Sequence, residues 1–274
     1  MAKVLTLNTH AWMEDNPLDK MMTLAQDIIE QDYDIICLQE INQEMTSKPA
    51  EHTTSYQALA NAPVLHEDNY ALQLVEHLEK EGKTYHWSWA YNHIGYDKYH
   101  EGVAILSKEP IEAYDILVSD VDDDTDYHTR RTLAAKTQLD GQEVLAVSVH
   151  LSWWDKGFQL EWAKLEEALL KQDLPVIIMG DFNNPYDESG YRRILESQLQ
   201  LKDSHTDAQK VVGDYTIKAD IDGWEGNSAN LKVDYIFTNL ACRIKVSEIV
   251  FDGGSLPVVS DHFGIRASWQ RSLV

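Results

Sequence analysis

Short runs of β-branched and aliphatic residues recur at 3–7, 34–39, 103–107, 133–139, 144–149, 176–179, 235–238 and 244–251. Several of these runs follow one another too closely for a helix to fit between them. Neighbouring parallel strands need a long crossover, so this succession argues against a doubly wound parallel sheet. It points to an α+β chain in which two mixed β-sheets pack face to face as a sandwich, flanked by helices. Helical stripes lie between some of the strands. Asn16 is placed to cap and Pro17 to open a helix whose apolar face is Leu18, Met21, Met22, Ala25, Ile28 and Ile29. A second stripe, Ala71, Leu74, Val75 and Leu78, ends at Gly82, and a third runs from Phe158 to Leu169. No repeat, Gly/Ser linker or low-complexity tract divides the chain, and one domain over 1–274 is expected.

The segment 46–69 is the least periodic, and a long loop there is expected to serve as a lid or a pocket wall. The formal net charge of -23 opposes docking along a polyanion, because nucleic-acid affinity comes largely from Lys and Arg neutralising phosphates. Long nucleic acid and anionic membranes are therefore poor partners, while a small anionic substrate needs only a local basic pocket. Cys37 and Cys242 sit in apolar, strand-like runs and read as reduced core thiols. The first residues enter an alternating strand without a signal-type apolar run, and no segment is apolar enough to span a bilayer. A cytoplasmic location is expected from these features. Oligomeric state has no signature in the sequence.

Polar residues interrupt the apolar pattern where strands end. Asn8 closes the first run, Glu40 the second and His150 the fifth. Asp181 and Asn183 follow the glycine that stops the sixth, Asp234 precedes the seventh, and Asp261 and His262 end a further apolar tract. Carboxylate, carboxamide and imidazole gathered at strand ends suit a site that activates water beside a divalent cation. Hard oxygen donors such as Glu40 and Asn8 favour Mg²⁺. Zinc is less suited, since His10, His150 and His262 lack a close helical metal spacing. The acidic tract at 120–126 lacks the glycine and terminal glutamate of a calcium loop and reads as solvated.

Taken in chain order, Leu5-Thr6-Leu7-Asn8, Leu38-Gln39-Glu40, the run 101–107, Ser148-Val149-His150-Leu151, Gly180-Asp181-Phe182-Asn183, Val233-Asp234-Tyr235 and Ser260-Asp261-His262 resemble the endonuclease/exonuclease/phosphatase superfamily. The resemblance spans nearly the whole chain and implies the four-layer, DNase I-like fold. It also implies phosphoester hydrolysis, which needs a positioned water and stabilisation of charge around phosphorus. In that frame Asp181 takes or orients the proton of the water, and Asn183 holds a phosphoryl oxygen. Asp234 fixes the tautomer of His262 and favours its cation. His150 contacts the phosphate from the other side, steadied by Glu101. Glu40, with Asn8 and Asp261, holds Mg²⁺, for which Mn²⁺ can substitute. The resemblance leaves open which histidine is acid or base, and it points to Arg131 more than Arg130 as the phosphate fork.

The superfamily's members differ in the phosphoester they cleave, so the loops must choose the substrate. His10 follows Asn8, while Trp153 and Trp154 follow His150, which places amphipathic rings beside the expected chemistry as a wall for a sugar or a base. The segment around His150 is similar to those of sphingomyelinase-like members and of cytoplasmic sugar-phosphate phosphatases. A phosphatase of a small phosphorylated sugar is the leading expectation. A nuclease, another phosphodiesterase or a sphingomyelinase-like enzyme is the alternative. A catalytically silent binding module is disfavoured because every matching residue is retained.

Overall fold

In the computed structural model, which describes residues 1–271, the alternating runs become strands. Along the chain these are β1 (Ala2–Asn8), β2 (Ile35–Glu44), β3 (Tyr56–Gln57), β4 (His86–Gly95), β5 (Tyr99–Ser107), β6 (Glu112–Leu117), β7 (Arg131–Leu139), β8 (Gln142–His150), β9 (Val176–Asp181), β10 (Lys202–Asp203), β11 (Lys210–Val212), β12 (Asp234–Thr238), β13 (Cys242–Val250) and β14 (Gly264–Arg271). The α-helices are α1 (Pro17–Gln31), α2 (Tyr70–Lys80), α3 (Gln159–Leu170), α4 (Ser189–Leu195) and α5 (Ser204–Asp207). One sheet has the order β11-β13-β14-β1-β2-β5-β4-β3 and the other β10-β12-β9-β8-β7-β6. Both are mixed: β1 runs parallel to β2 and antiparallel to β14, while β8 runs parallel to β9, which is antiparallel to β12.

The strand period of two sorts the side chains into layers. Val4, Ile35, Cys37, Val103 and Ile105 of the first sheet meet Ala135, Val144, Ala146, Ile177, Met179 and Ile236 of the second in a closed inner core. Residues one position away face outward. Leu5, Ile36 and Leu38 pack under Leu24 and Ile28 of α1 and Leu74 and Leu78 of α2. Val147, Val149 and Ile178 pack under Trp162 and Leu165 of α3 and Ile194 of α4. Each fully buried Leu, Ile or Val contributes about 1.5–3 kcal/mol, and these clusters fix the helix-sheet-sheet-helix order of the α+β, DNase I-like fold. No helix among the described residues is long and apolar enough to cross a membrane.

The same period positions the chemistry. Counting by twos along the inner face, β1 reads Val4, Thr6, Asn8; β8 reads Val144, Ala146, Ser148, His150; and β9 reads Ile177, Met179, Asp181. Apolar residues thus give way to polar ones toward one end of the sandwich. There Gln39 Nε2 donates to Ser148 Oγ at 3.1 Å and joins the two sheets.

Several local features differ from the sequence reading. Glu40 does not end its strand. The β2–β5 register slips between Leu38 and Ile41, and Glu40 adopts a φ of 53°. This bulge spends one extra residue, so Ile41 returns to the outer core while Glu40 remains with the inner polar layer. Strands β3, β4, β6, β10, β11 and β14 went unread. Asn16 makes no side-chain cap, whereas Asn69 caps α2 by accepting from the Ala71 and Leu72 amides at 3.0 and 3.2 Å. Leu18 and Met22 lie outside the buried stripe of α1. The segment 46–69 adds the edge strand β3 to the first sheet, puts Leu65 in the outer core and Leu59 against the inner one, and lines no part of the cavity described below.

Candidate active site

Three hydrogen-bonded strands of the second sheet set a row of side chains at its polar edge. His150 of β8 pairs in register with Asp181 of β9, and Asp181 pairs with Asp234 of β12. The close approach of β8 and β9 requires glycine at 180: its φ is 147°, and a Cβ there would lie 2.0 Å from the Val149 carbonyl oxygen. From the opposite side Ser260, whose hydroxyl donates to the Asn8 carbonyl at 2.7 Å, anchors the turn that delivers Asp261 and His262.

Asp181 Oδ2 is the hub. It lies 3.6 Å from His150 Nε2 and 3.7 Å from His262 Nε2, and it accepts from Asn8 Nδ2 at 3.1 Å. The Asn8 amide also donates to Glu40 Oε1 at 2.8 Å, so it bridges the two sheets' carboxylates. His262 Nδ1 sits 2.9 Å from Asp234 Oδ2. Burial opposes charge on this ring, but the Asp234 and Asp181 carboxylates outweigh it and hold His262 well above the ordinary imidazole range. His150 goes the other way: burial, reinforced by Arg130, His262 and His93, keeps it well below that range and neutral. Burial pushes Asp181 up to about 7, with His262 pulling against it. One neutral and one cationic imidazole therefore flank a single buried carboxylate.

Glu40 is the second unusual carboxylate. Burial, then the neighbouring Glu101 charge, pushes it up to about 8, and its Oε2 is buried with no partner among the described residues. A hard cation would satisfy that oxygen and offset the surrounding negative charge. Among the described residues two groupings bring three candidate ligand atoms within 4.8 Å of one another: His10 with Glu14 and Asp261, and Asp181 with Asp234 and His262. In the first, Glu14 already accepts from the Asp261 amide at 3.0 Å and lies 2.8 Å from His10 Nδ1, and Lys20 pairs with its other oxygen. Burial lowers His10, but Glu14, Glu40 and Asp261 overcome this and raise it to about 9. The donor set around Glu40 fits a divalent cation best.

These groups open into a cavity of about 470 Å³. His10, Glu40, Glu101, His150, Trp153, Asp181, Asn183, Asp261 and His262 line it, as the sequence leads one to expect, while Asn8 and Asp234 do not line it but hydrogen-bond to Asp181 and His262, which do. Three expectations are corrected. Arg130, not Arg131, faces the cavity; Arg131 is turned to Asp115, 3.3 Å away, and to Asp122. Trp154 is no wall, because it packs on the outer core beside Phe158. Glu101 does not meet His150; it lies 3.4 Å from His93 Nε2, its cross-strand partner. Asn183 spends its amide internally, donating to the Leu151 carbonyl at 2.9 Å and accepting from Trp224 Nε1 at 3.2 Å.

The sequence reading missed the remaining wall. His93, Tyr96 and Asp97 come from the β4–β5 hairpin, Thr125 and Tyr127 from the acidic loop, Lys156 from the turn before α3, and Asp222, Gly223 and Glu225 from the connection before β12. Trp224 between Gly223 and Gly226 was the one local signal, an aromatic ring in a turn-rich acidic segment. Tyr96 Oη donates to Asp222 Oδ2 at 2.6 Å and ties two walls together.

The profile of the Endonuclease/Exonuclease/phosphatase family matches residues 13–262. The chain belongs to this family. Its fold is similar to that of an endonuclease/exonuclease/phosphatase family protein from Leptotrichia buccalis C-1013-b, at 30% identity and a TM-score of 0.84, over 98% of this chain and 100% of that one. The mannosyl-6-phosphatase Bt3783 of Bacteroides thetaiotaomicron VPI-5482 shares the fold at 16% identity and a TM-score of 0.64, over 98% of this chain and 100% of that one. The human Nocturnin catalytic domain does so at 16% identity and a TM-score of 0.67, over 99% of this chain and 93% of that one. Comparison with curated proteins gives no significant match. As an endonuclease/exonuclease/phosphatase family member the chain is a hydrolase, and enzymes of this family generally depend on a divalent metal.

Proposed function

We propose that this hydrolase is a Mg²⁺-dependent phosphomonoesterase acting on a small phosphorylated sugar. The opening run 3–10 is similar to that of maltose 6'-phosphate phosphatase, whose substrate we favour, and the segment from His150 to Trp154 is similar to those of sugar-phosphate phosphatases and sphingomyelinase-like members. The observation that carries the reading is the cavity itself. Among the described residues Arg130 and Lys156 are the only Lys or Arg side chains lining it, against seven carboxylates, and the Tyr96–Asp222 bond joins its walls. One phosphate fits such a place, whereas a polymer needs a basic track on both sides of the scissile bond. The mannosyl-6-phosphatase among the fold's neighbours is consistent with this choice.

In this reading Arg130 is the phosphate ligand. It is 4% exposed, its Nε and Nη1 are buried without partners, and no carboxylate among the described residues lies within ion-pair distance. His262, kept cationic by Asp234, donates to a second phosphoryl oxygen, and neutral His150 binds a third. Asp181, raised toward neutrality between them, accepts the proton of the attacking water. Glu101 acts through His93, which it orients beside Arg130. Glu40 and Asn8, with Asp261, hold the metal. A bound Mg²⁺, or Mn²⁺ in its place, supplies neutralisation of the charge that grows on the leaving oxygen.

The net charge of -23 supports a small substrate over long nucleic acid or an anionic membrane, and the two free, buried cysteines suit work in a reducing cytoplasm. The test is phosphate release with Mg²⁺ from sugar phosphates, nucleotides, single- and double-stranded DNA and sphingomyelin. Release from maltose 6'-phosphate and related monoesters is expected. Cleavage of DNA or sphingomyelin with inert monoesters would replace this reading by the phosphodiesterase one.

A further inference from the structure

Beyond the groups that face phosphorus, the cavity has a more exposed part in which three carboxylates outnumber Lys156, whose Nζ lies 4.8 Å from the Trp153 ring centroid. Asp97, Asp222 and Glu225 line it, and the Tyr96–Asp222 bond engages only one oxygen of Asp222. The segment that carries Asp222 and Glu225 is seated rather than loose. A Cβ at Gly223 would lie 2.9 Å from the Trp153 ring, and Trp224 Nε1 donates to Asn183 at 3.2 Å. The inner part of the same cavity holds Arg130, buried with two nitrogens that have no partner among the described residues, so the two parts are built for opposite requirements. Carboxylates only accept hydrogen bonds, and sugar hydroxyls can donate to them; an ionised phosphate or carboxylate has no proton to donate and is repelled by them.

We infer that Asp222 and Glu225, with Asp97, form a leaving-group subsite that selects an uncharged polyhydroxylated leaving group and turns away any substrate with a second anionic group. The inference rests on the phosphomonoesterase reading and adds to it the feature that discriminates among monoesters. Sugar bisphosphates, nucleoside di- and triphosphates and phosphorylated sugar acids are excluded by charge rather than by size.

The experiment compares glucose 6-phosphate with glucose 1,6-bisphosphate, which differ by one phosphate, and includes p-nitrophenyl phosphate. Wild-type kcat/KM is expected to favour the monophosphate by roughly tenfold or more. Asp222→Asn and Glu225→Gln, tested separately, should each move the ratio toward the bisphosphate by about three- to tenfold. Raising ionic strength from about 0.05 M to about 0.5 M should narrow the wild-type preference, which steric exclusion would not do. Equal use of both sugars by the wild type, or a ratio unmoved by both substitutions and by salt, overturns the inference while leaving the phosphatase intact. Silence on every monoester, p-nitrophenyl phosphate included, ends the phosphatase reading and the inference with it.

Discussion

Replacing Arg130 by leucine should separate function from stability in one variant. The side chain is 4% exposed, and its Nε and Nη1 have no hydrogen-bond partner among the described residues. Its backbone is held independently, with the amide donating to Ser119 Oγ at 2.8 Å and the carbonyl accepting from Val118 at 3.0 Å. Two guanidinium N–H groups on a phosphate contribute about 1.5–3 kcal/mol each. Their loss totals about 3–6 kcal/mol, which at about 1.4 kcal/mol per decade lowers kcat/KM by about 10²–10⁴-fold. Folding gains in the same substitution, because a buried cation without a partner is costly and leucine is not. The unliganded Arg130→Leu protein should therefore melt at or above the wild-type temperature. Inorganic phosphate at about 100 times its Kd stabilises a binding protein by about 2.7 kcal/mol. That equals several degrees for a chain of this size, and the variant should lose most of the shift. Steady-state kinetics with thermal melts in the presence and absence of phosphate read all three quantities. A variant that melts several degrees lower yet keeps kcat/KM within a few-fold would show that Arg130 braces the fold, and the reasoning would fail.

Glu40→Gln should raise the Mg²⁺ concentration for half-maximal activity by at least about tenfold, since the carboxylate with the unpaired oxygen is lost; calorimetric Mn²⁺ titration checks this, and unchanged affinity moves the metal elsewhere. Trp153→Ala should raise KM for a sugar phosphate more than for p-nitrophenyl phosphate. Trp154→Ala, which touches only the outer core, should leave that ratio alone and cost stability instead. At Glu166, burial is outweighed by Ser197, the Gln198 amide and Arg193, which hold its carboxyl below the ordinary 4.5. A depressed carboxylate contributes stability above its unfolded pKa and loses it as pH falls through the folded one. Glu166→Gln should therefore cost about 1–3 kcal/mol in denaturant melts near pH 7 and little in acid; a gap that persists in acid would count against the assignment.

Much of this was legible in the sequence because apolar runs and the polar residues that interrupt them obey the strand period. His150, Asp181 and Asp234 fell at strand ends, and the sheet ladder did the rest. What stayed hidden depends on pairing rather than on local pattern. Strand β4, with Trp87, Trp89, Tyr91 and His93, mixes amphipathic rings with polar residues because both of its faces are covered, so it shows no clean alternation. His93 gains its meaning only through its register with Glu101 on β5. The bulge at Glu40 arises from the β2–β5 pairing and has no glycine to announce it. Adjacent arginines 130 and 131 look alike in sequence, and Asp115 and Asp122, which draw Arg131 aside, lie on other segments.

The row from His150 through Asp181 to Asp234 has a further consequence. Because these groups ride on paired strands, their spacing inherits the stiffness of the ladder, while Tyr96, Asp222 and Glu225 ride on turns whose sequence the ladder does not constrain. Bond cleavage and substrate choice are thus carried by separate parts of the backbone. Natural drift or directed evolution in the turns can retarget this hydrolase without disturbing the row, whereas a single methyl at Gly180 would strike both strands at once.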